Sequence, residues 1–134
     1  MTNHDIELFN DSLQRCTSRP GFLERFYEIF TASSEKVAEK FKRTDFQKQA
    51  ILLKASLYLM LLAAWKKPEG HAHLERIAQL HGRNGLDIAP ELYDLWLNCL
   101  LRTVKEYDSR FNTRTKRAWY NMMQSGIKFM KSRY

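Results

Sequence analysis

Only two cysteines, three prolines and five glycines occur among the 134 residues of this chain. Cys16 and Cys99 lie far apart, so no zinc or iron–sulfur motif built on paired cysteines is present. Each continues an apolar stretch: Cys16 follows Ile6, Phe9 and Leu13, and Cys99 follows Leu92 and Trp96. Both therefore read as small buried hydrophobes. Sparse proline and glycine argue against many short strands and turns and favour long helices. No apolar run reaches the ~20 residues of a membrane span. The longest, residues 51–65, is interrupted by Lys54 and Ser56. No basic patch followed by an apolar core opens the chain, so a cytoplasmic location is expected. Repeats, low-complexity tracts and flavin or nicotinamide motifs are missing as well.

Acidic residues are absent after Asp108. The net charge of +7 is carried entirely by Arg110, Arg114, Lys116, Arg117, Lys128, Lys131 and Arg133, which leaves residues 1–108 neutral. Such a cluster is either a surface for nucleic acid or an acidic partner, or the solvated face of a helix. No nucleic-acid motif accompanies it, and the aromatic Trp119 falls on an apolar stripe. The solvated face is the expectation.

What is present is an ordinary soluble balance, 44% hydrophobic and 28% charged, suited to one domain over residues 1–134. Helical periodicity dominates. A first amphipathic helix covers 4–17. Pro20 suits the first turn of a second, which buries Leu23, Phe26, Tyr27 and Phe30. A short helical piece runs from 35 to about 41. Thr44 or Asp45 caps a long helix whose inner stripe is Phe46, Ala50, Leu53, Leu57, Met60/Leu61 and Ala64. Residues 66–70 end it. A helix over about 71–81 follows, stopped by Gly82 and Gly85. Pro90 opens another, with Tyr93, Trp96, Leu100, Val104 and Tyr107 inward. A turn at 108–112 leads to a last helix burying Trp119, Met122/Met123, Gly126, Ile127 and Met130. No segment alternates like a half-buried strand, so the chain is all-α.

His81 stands out within this pattern. It lies seven residues after Leu74, four after Ile77 and three after Ala78, on their apolar stripe. Such an imidazole is either a packed core residue or a ligand for a metal or haem iron.

Other residues bear on that choice. Phe26-Tyr27, Phe30-Thr31, Glu35 and Phe41 occur in order, followed by Gln49 and Leu53 four residues apart. Then come Ile77-Ala78-Gln79-Leu80-His81, Ile88-Ala89-Pro90-Glu91-Leu92-Tyr93 and Ala118-Trp119. In this order and spacing the chain resembles the bacterial globins over nearly its whole length. It is most similar to single-domain globins and to the haem domain of flavohaemoglobins. The resemblance implies a globin fold of about six to seven helices sandwiching a haem. It also implies His81 as the proximal iron ligand, Phe41 packed on the haem, and Tyr27 and Gln49 as the distal pair. Without a Cys-x-x-Cys-His motif the haem is expected to be non-covalent haem b, iron protoporphyrin IX. The chain departs from the pattern at Ser34, where many globins have proline, and in a His81–Tyr93 interval about two residues longer than in flavohaemoglobins. It ends near where flavohaemoglobins carry a Glu of a His–Tyr–Glu network, and no reductase domain follows.

The physics of such a site can be assigned residue by residue. An apolar slot that excludes water would be walled by Phe41, Leu53, Leu57, Leu80, Ile88, Trp96 and Met123, each of which alone reads equally as core. The second ring nitrogen of His81 needs an acceptor, for which a carbonyl of its own helix is suited. Tyr93 would pack against the ring or bond to it. His71 and His73 are the competing ligands. No histidine lies between His4 and His71, so the long helix can supply no second one. Tyr27 is either a buried donor or a phenol reaching the surface. Gln49 either points inward or meets solvent at the helix entrance. If both donate, they favour O2 over CO by about 1–2 kcal/mol per bond, because bound O2 is the more charged ligand.

The reading is a haem globin reversibly binding O2, CO or NO at a pentacoordinate iron, for storage, delivery or sensing. The alternative is an NO dioxygenase or peroxidase-like enzyme supplied by an external reductase. A haem-free helical module binding protein or nucleic acid is the third.

Overall fold

The computed structural model describes residues 2–82 and 88–133. It forms seven α-helices and, among the described residues, no strand. They are α1 (Asn3–Thr17), α2 (Phe22–Ala32), α3 (Glu35–Lys40), α4 (Phe46–Ala64), α5 (Pro68–His81), α6 (Glu91–Tyr107) and α7 (Thr113–Ser132). None of the described helices is long and apolar enough to cross a membrane.

Local chemistry sets the helix starts. Thr2 and Asp5 form a reciprocal capping box at α1. Asp45 caps α4 by accepting from the backbone N–H groups of Gln47 and Lys48, and Asn112 caps α7 by accepting from Thr115. Pro68 does not belong to the link after α4, as its place in the sequence suggested. It is the first residue of α5, where its missing N–H costs nothing. Gly70 then lets α5 lie directly on α4, because a Cβ there would overlap the backbone of Ala63. The other end of α5 also differs from expectation. Gly82 is extended rather than left-handed, so it stops the helix without a glycine-specific turn. Gly85, the second expected breaker, lies outside the described residues.

The core is built chiefly where α1 meets α7 and α2 meets α6. Phe9, Leu13, Phe26, Leu100, Val104, Trp119 and Met123 are fully enclosed. Phe9 meets Trp119 edge-on, with ring centroids 4.6 Å apart. Cys16 and Cys99 are buried free thiols, and burial pushes the Cys16 thiol up to about 12.

Beside Trp119 lies a polar cluster that the sequence pattern does not announce. Asp108, at the end of α6, accepts from the Ser12 hydroxyl at 2.6 Å, from Arg15 at 2.6 and 3.0 Å, and from the Arg110 backbone at 2.9 Å. The Trp119 indole in turn donates to Ser12 Oγ at 2.8 Å. Asp108 is thus a joint between α1, α6 and α7 rather than only the start of a turn.

Helix α4 is less one-sided than its expected stripe. Ala50, Leu57 and Leu61 are buried. Leu53 and Met60 are half-buried, and Phe46, Ile51 and Leu52 are exposed. Met130 of α7 is also only half-buried. The α4 helix is apolar on faces that its neighbours leave uncovered.

Candidate functional site

Helices α4 and α5 form an antiparallel hairpin. Its corner end is drawn together by Gly70 against Ala63 and by His73 Nε2 bonded to Ser56 Oγ at 3.1 Å. Gln49 lies near the start of α4 and His81 at the end of α5, so both sit at the opposite end of the hairpin.

Tyr27 comes from the buried face of α2 and is only 4% exposed. The Gln49 side chain, from α4, faces its hydroxyl closely enough to influence it. Burial pushes the phenol up to about 12, against the opposing pull of the Gln49 side chain. Near neutral pH Tyr27 is therefore an uncharged O–H. Its ring is held between Phe41 and Phe46, with centroids at 5.6 and 5.5 Å. Phe41 also packs on Phe30, at 5.9 Å. Of the two readings open to Tyr27, the phenol reaching the surface does not occur. Gln49 is half-buried and turned toward Tyr27 rather than wholly into solvent.

His81 is half-buried, and its Nδ1 lies 2.8 Å from the Ile77 carbonyl. A carbonyl oxygen can only accept, so Nδ1 holds the proton and the lone pair is left on Nε2. This is the tautomer that a metal-ligating imidazole with a backbone acceptor requires. The Tyr93 ring lies 6.4 Å from the imidazole. The competing histidines are placed differently. His71 is exposed, 3.7 Å from Glu75. His73 spends Nε2 on Ser56, while its Nδ1 is buried without a partner. Burial, with Arg76 nearby, holds His73 below the usual histidine range.

The expected wall residues divide into three groups. Leu57 and Met123 are completely buried. Phe41, Leu53, Ile88, Tyr93 and Trp96 are half-buried and packed against the core. Trp96 meets Phe26 edge-on at 6.0 Å. Leu80 is 55% exposed. A cavity of about 370 Å³ does lie along α4 and α5, but at their corner end, and none of these residues lines it.

Two features of this donor set fit haem. Among the described residues no group of three His, Cys, Asp or Glu side chains could hold a bare ion. The site offers instead one imidazole with its lone pair on Nε2, and a porphyrin needs only one such nitrogen from the protein. The incompletely covered apolar side chains of α4 and α6 supply surface that a flat hydrophobic ring system would bury.

Sequence reasoning missed two features, one beside Tyr27 and one toward the corner end of the hairpin. Phe46 packs on Tyr27 as well as on Phe41, and Ser56 ties α4 to His73. The position of Ser56, seven residues after Gln49 and three after Leu53, was the available signal for the second.

Comparison with known proteins agrees with this architecture. The globin family model matches residues 25–129. A crystal structure of a protein from Pseudomonas aeruginosa PAO1, described as structurally highly homologous to a human hemoglobin, superposes with a TM-score of 0.92. It shares 37% sequence identity over 97% of this chain and 98% of that one. No curated protein matches the chain. Seven helices in this arrangement, with the family's match over most of their length, mean that the chain belongs to the globin family, and haem binding is what that membership implies.

Proposed function

We propose that residues 1–134 form a single globin domain that holds a b-type haem at the α4–α5 hairpin and reversibly binds O2 and other diatomic gases, including CO and NO. In this reading His81 Nε2 is the protein's ligand to the iron. Phe41, Leu53, Leu57, Leu80, Ile88, Tyr93, Trp96 and Met123 make the apolar surround. The likeness to flavohaemoglobin haem domains belongs to the same reading. A bound haem would supply the iron at which the gas is held.

The observation that carries the gas-binding reading is the Tyr27–Gln49 pair. A neutral, buried phenol faced by an amide from the neighbouring helix is a preorganised donor set. It needs little reordering to turn a hydrogen bond toward a partly charged ligand. Tyr27→Phe should speed O2 dissociation about 5–30-fold, the effect of one lost bond of about 1–2 kcal/mol, and leave CO dissociation nearly unchanged. Gln49→Leu should act in the same direction, and the double variant should be non-additive because the two side chains face each other and share one ligand. Equal effects on O2 and CO would make Tyr27 a packing residue and remove the oxygen-selective reading.

A second reading rests on α7. Arg114, Lys116, Arg117 and Lys128 are exposed and have no ion-pair partner among the described residues. In that reading they dock an acidic external reductase, and the same pocket performs NO dioxygenation or a peroxidase-like reaction. Fast, salt-sensitive re-reduction of the ferric protein by an acidic flavin reductase would favour it. Re-reduction no faster than that of free haem would leave the gas-binding reading alone.

A further inference from the structure

The corner end of the α4–α5 hairpin contains the roughly 370 Å³ cavity, closed on its third side by α7. It belongs to neither half of the proposed haem site. Its volume is at the small end of the ~300–1,000 Å³ of small-molecule pockets. The inner wall is apolar, made mainly by Met60, Ala64, Leu74 and Met122. Lys66 and Lys67 stand at its rim, both exposed. Neither lysine has an ion-pair partner among the described residues. His71, also on the wall, lies 3.7 Å from Glu75, which is bonded to Arg133 at 2.8 Å.

Two details indicate that this space is a built part of the corner. Lys66 is held at φ 60, a left-handed conformation uncommon for a residue with a side chain, and so the corner fixes it there. Gly126 leaves the place of its side chain to Met60, since a Cβ there would come within 2.6 Å of Met60 Cε. Two methionines on the wall give it an adaptable, polarizable lining.

We infer that this cavity is a binding site for a medium-chain fatty carboxylate, the chain lying against Met60, Leu74 and Met122 and the carboxylate between Lys66 and Lys67. The complement is chemical: an apolar recess accepts a chain, and two unpaired ammonium groups at its mouth accept one anionic head. A long acyl chain exceeds the volume, and a cationic amphiphile meets the wrong charge. The site is independent of the haem reading.

Titration calorimetry of the full-length protein with sodium decanoate, kept below its micelle concentration, tests this. One saturable site is expected, with octanoate about 15-fold weaker for its two fewer methylenes. Decanol should lose the contribution of the lysines, and decyltrimethylammonium should not bind. Lys66→Gln with Lys67→Gln should weaken decanoate about fivefold and leave decanol unchanged. Ser125→Trp, at an exposed wall position, should block the mouth without touching the core, and Ala64→Phe should fill the recess. The haem Soret band should not respond to decanoate. Absence of saturable binding, or undiminished binding in Ser125→Trp, would overturn the proposal. A shift of the Soret band on addition of decanoate would place the carboxylate on the iron and also overturn it. Binding to phosphatidylglycerol vesicles without binding of free decanoate would make the lysines a membrane contact and refute the cavity site.

Discussion

Around Asp108, three helices close on a buried carboxylate that is fully hydrogen-bonded, and the neighbouring apolar side chains are completely enclosed. Across the α4–α5 hairpin the same chain leaves Leu52 and Leu80 exposed, Leu53 half-covered and His73 Nδ1 buried without a partner. The first region is finished by its own residues. The second has apolar surface and an imidazole nitrogen that its own residues do not complete. A stable scaffold and an adaptable binding face require these opposite solutions, because burial and satisfied hydrogen bonds stabilise a fold but leave nothing for a ligand to add.

The sharpest way to break this comparison is to remove the joint of the closed region. Asp108→Ala leaves Arg15 and Ser12 without their acceptor and should cost about 3–5 kcal/mol in denaturant unfolding. Gln49→Ala, a half-buried change at the other region, should cost no more than about 1 kcal/mol. Similar costs for the two would show that the closed region is not the scaffold.

Core truncation should separate the enclosed and half-covered parts of the inner stripe of α4. Leu57 is fully buried, so Leu57→Ala should cost about 2–5 kcal/mol with or without haem. Leu53→Ala should cost less in the haem-free protein and show its main effect as faster haem loss, measured by transfer of haem to an acceptor globin. A stability loss in Leu53→Ala equal to that in Leu57→Ala would place Leu53 in the scaffold.

The smallest effects are those of pH, and they have opposite signs in the two regions. Burial alone would raise Asp108, but the bonds from Arg15, Ser12 and the Arg110 backbone outweigh it and hold the carboxyl below its ordinary 3.8. Its contribution is therefore full above pH 3.8 and lost as pH falls through the folded value. Tyr27 moves the other way, from an ordinary 10.0 up to about 12. The fold favours the neutral phenol, so that stability is full below pH 10 and lost as pH rises from 10 toward 12. Asp108→Asn should flatten the acid limb of the stability curve, and Tyr27→Phe the alkaline limb. Unfolding curves at graded pH check both.

Much of this was legible in the sequence, for reasons that differ by residue. The all-α architecture follows from periodicity and scarce glycine and proline, and seven helices agree with the expected six to seven. Asp45 is a local cap, visible as such, whereas Asn112, read from the sequence only as the end of a turn, caps α7. The acceptor for His81 Nδ1 could be anticipated because residue i−4 is its geometric neighbour on a helix. The Asp108 cluster could not, since Ser12 and Asp108 are 96 positions apart and no local pattern joins them. Pro68 reads as part of the link because a proline both ends and begins helices, and only the packing of Gly70 on α4 distinguishes the two. Helix α4 looked one-sided because its inner stripe is apolar, yet its outer residues Ile51 and Leu52 are apolar as well. Residues 83–87, including the expected breaker Gly85, lie outside the described structure.

In the proposed site His81 supplies the one nitrogen for iron. Haem titration of the haem-free protein, followed by Soret absorbance and by the spectra of the ferric, ferrous and CO forms, measures this. Wild-type protein, His71→Ala and His73→Ala should each bind one haem, with matching ferrous–CO spectra. His81→Ala should bind it weakly or not at all and should lose the accompanying rise in melting temperature. Unchanged haem affinity and an unchanged CO spectrum in His81→Ala would contradict the assignment and move the ligand elsewhere in the chain.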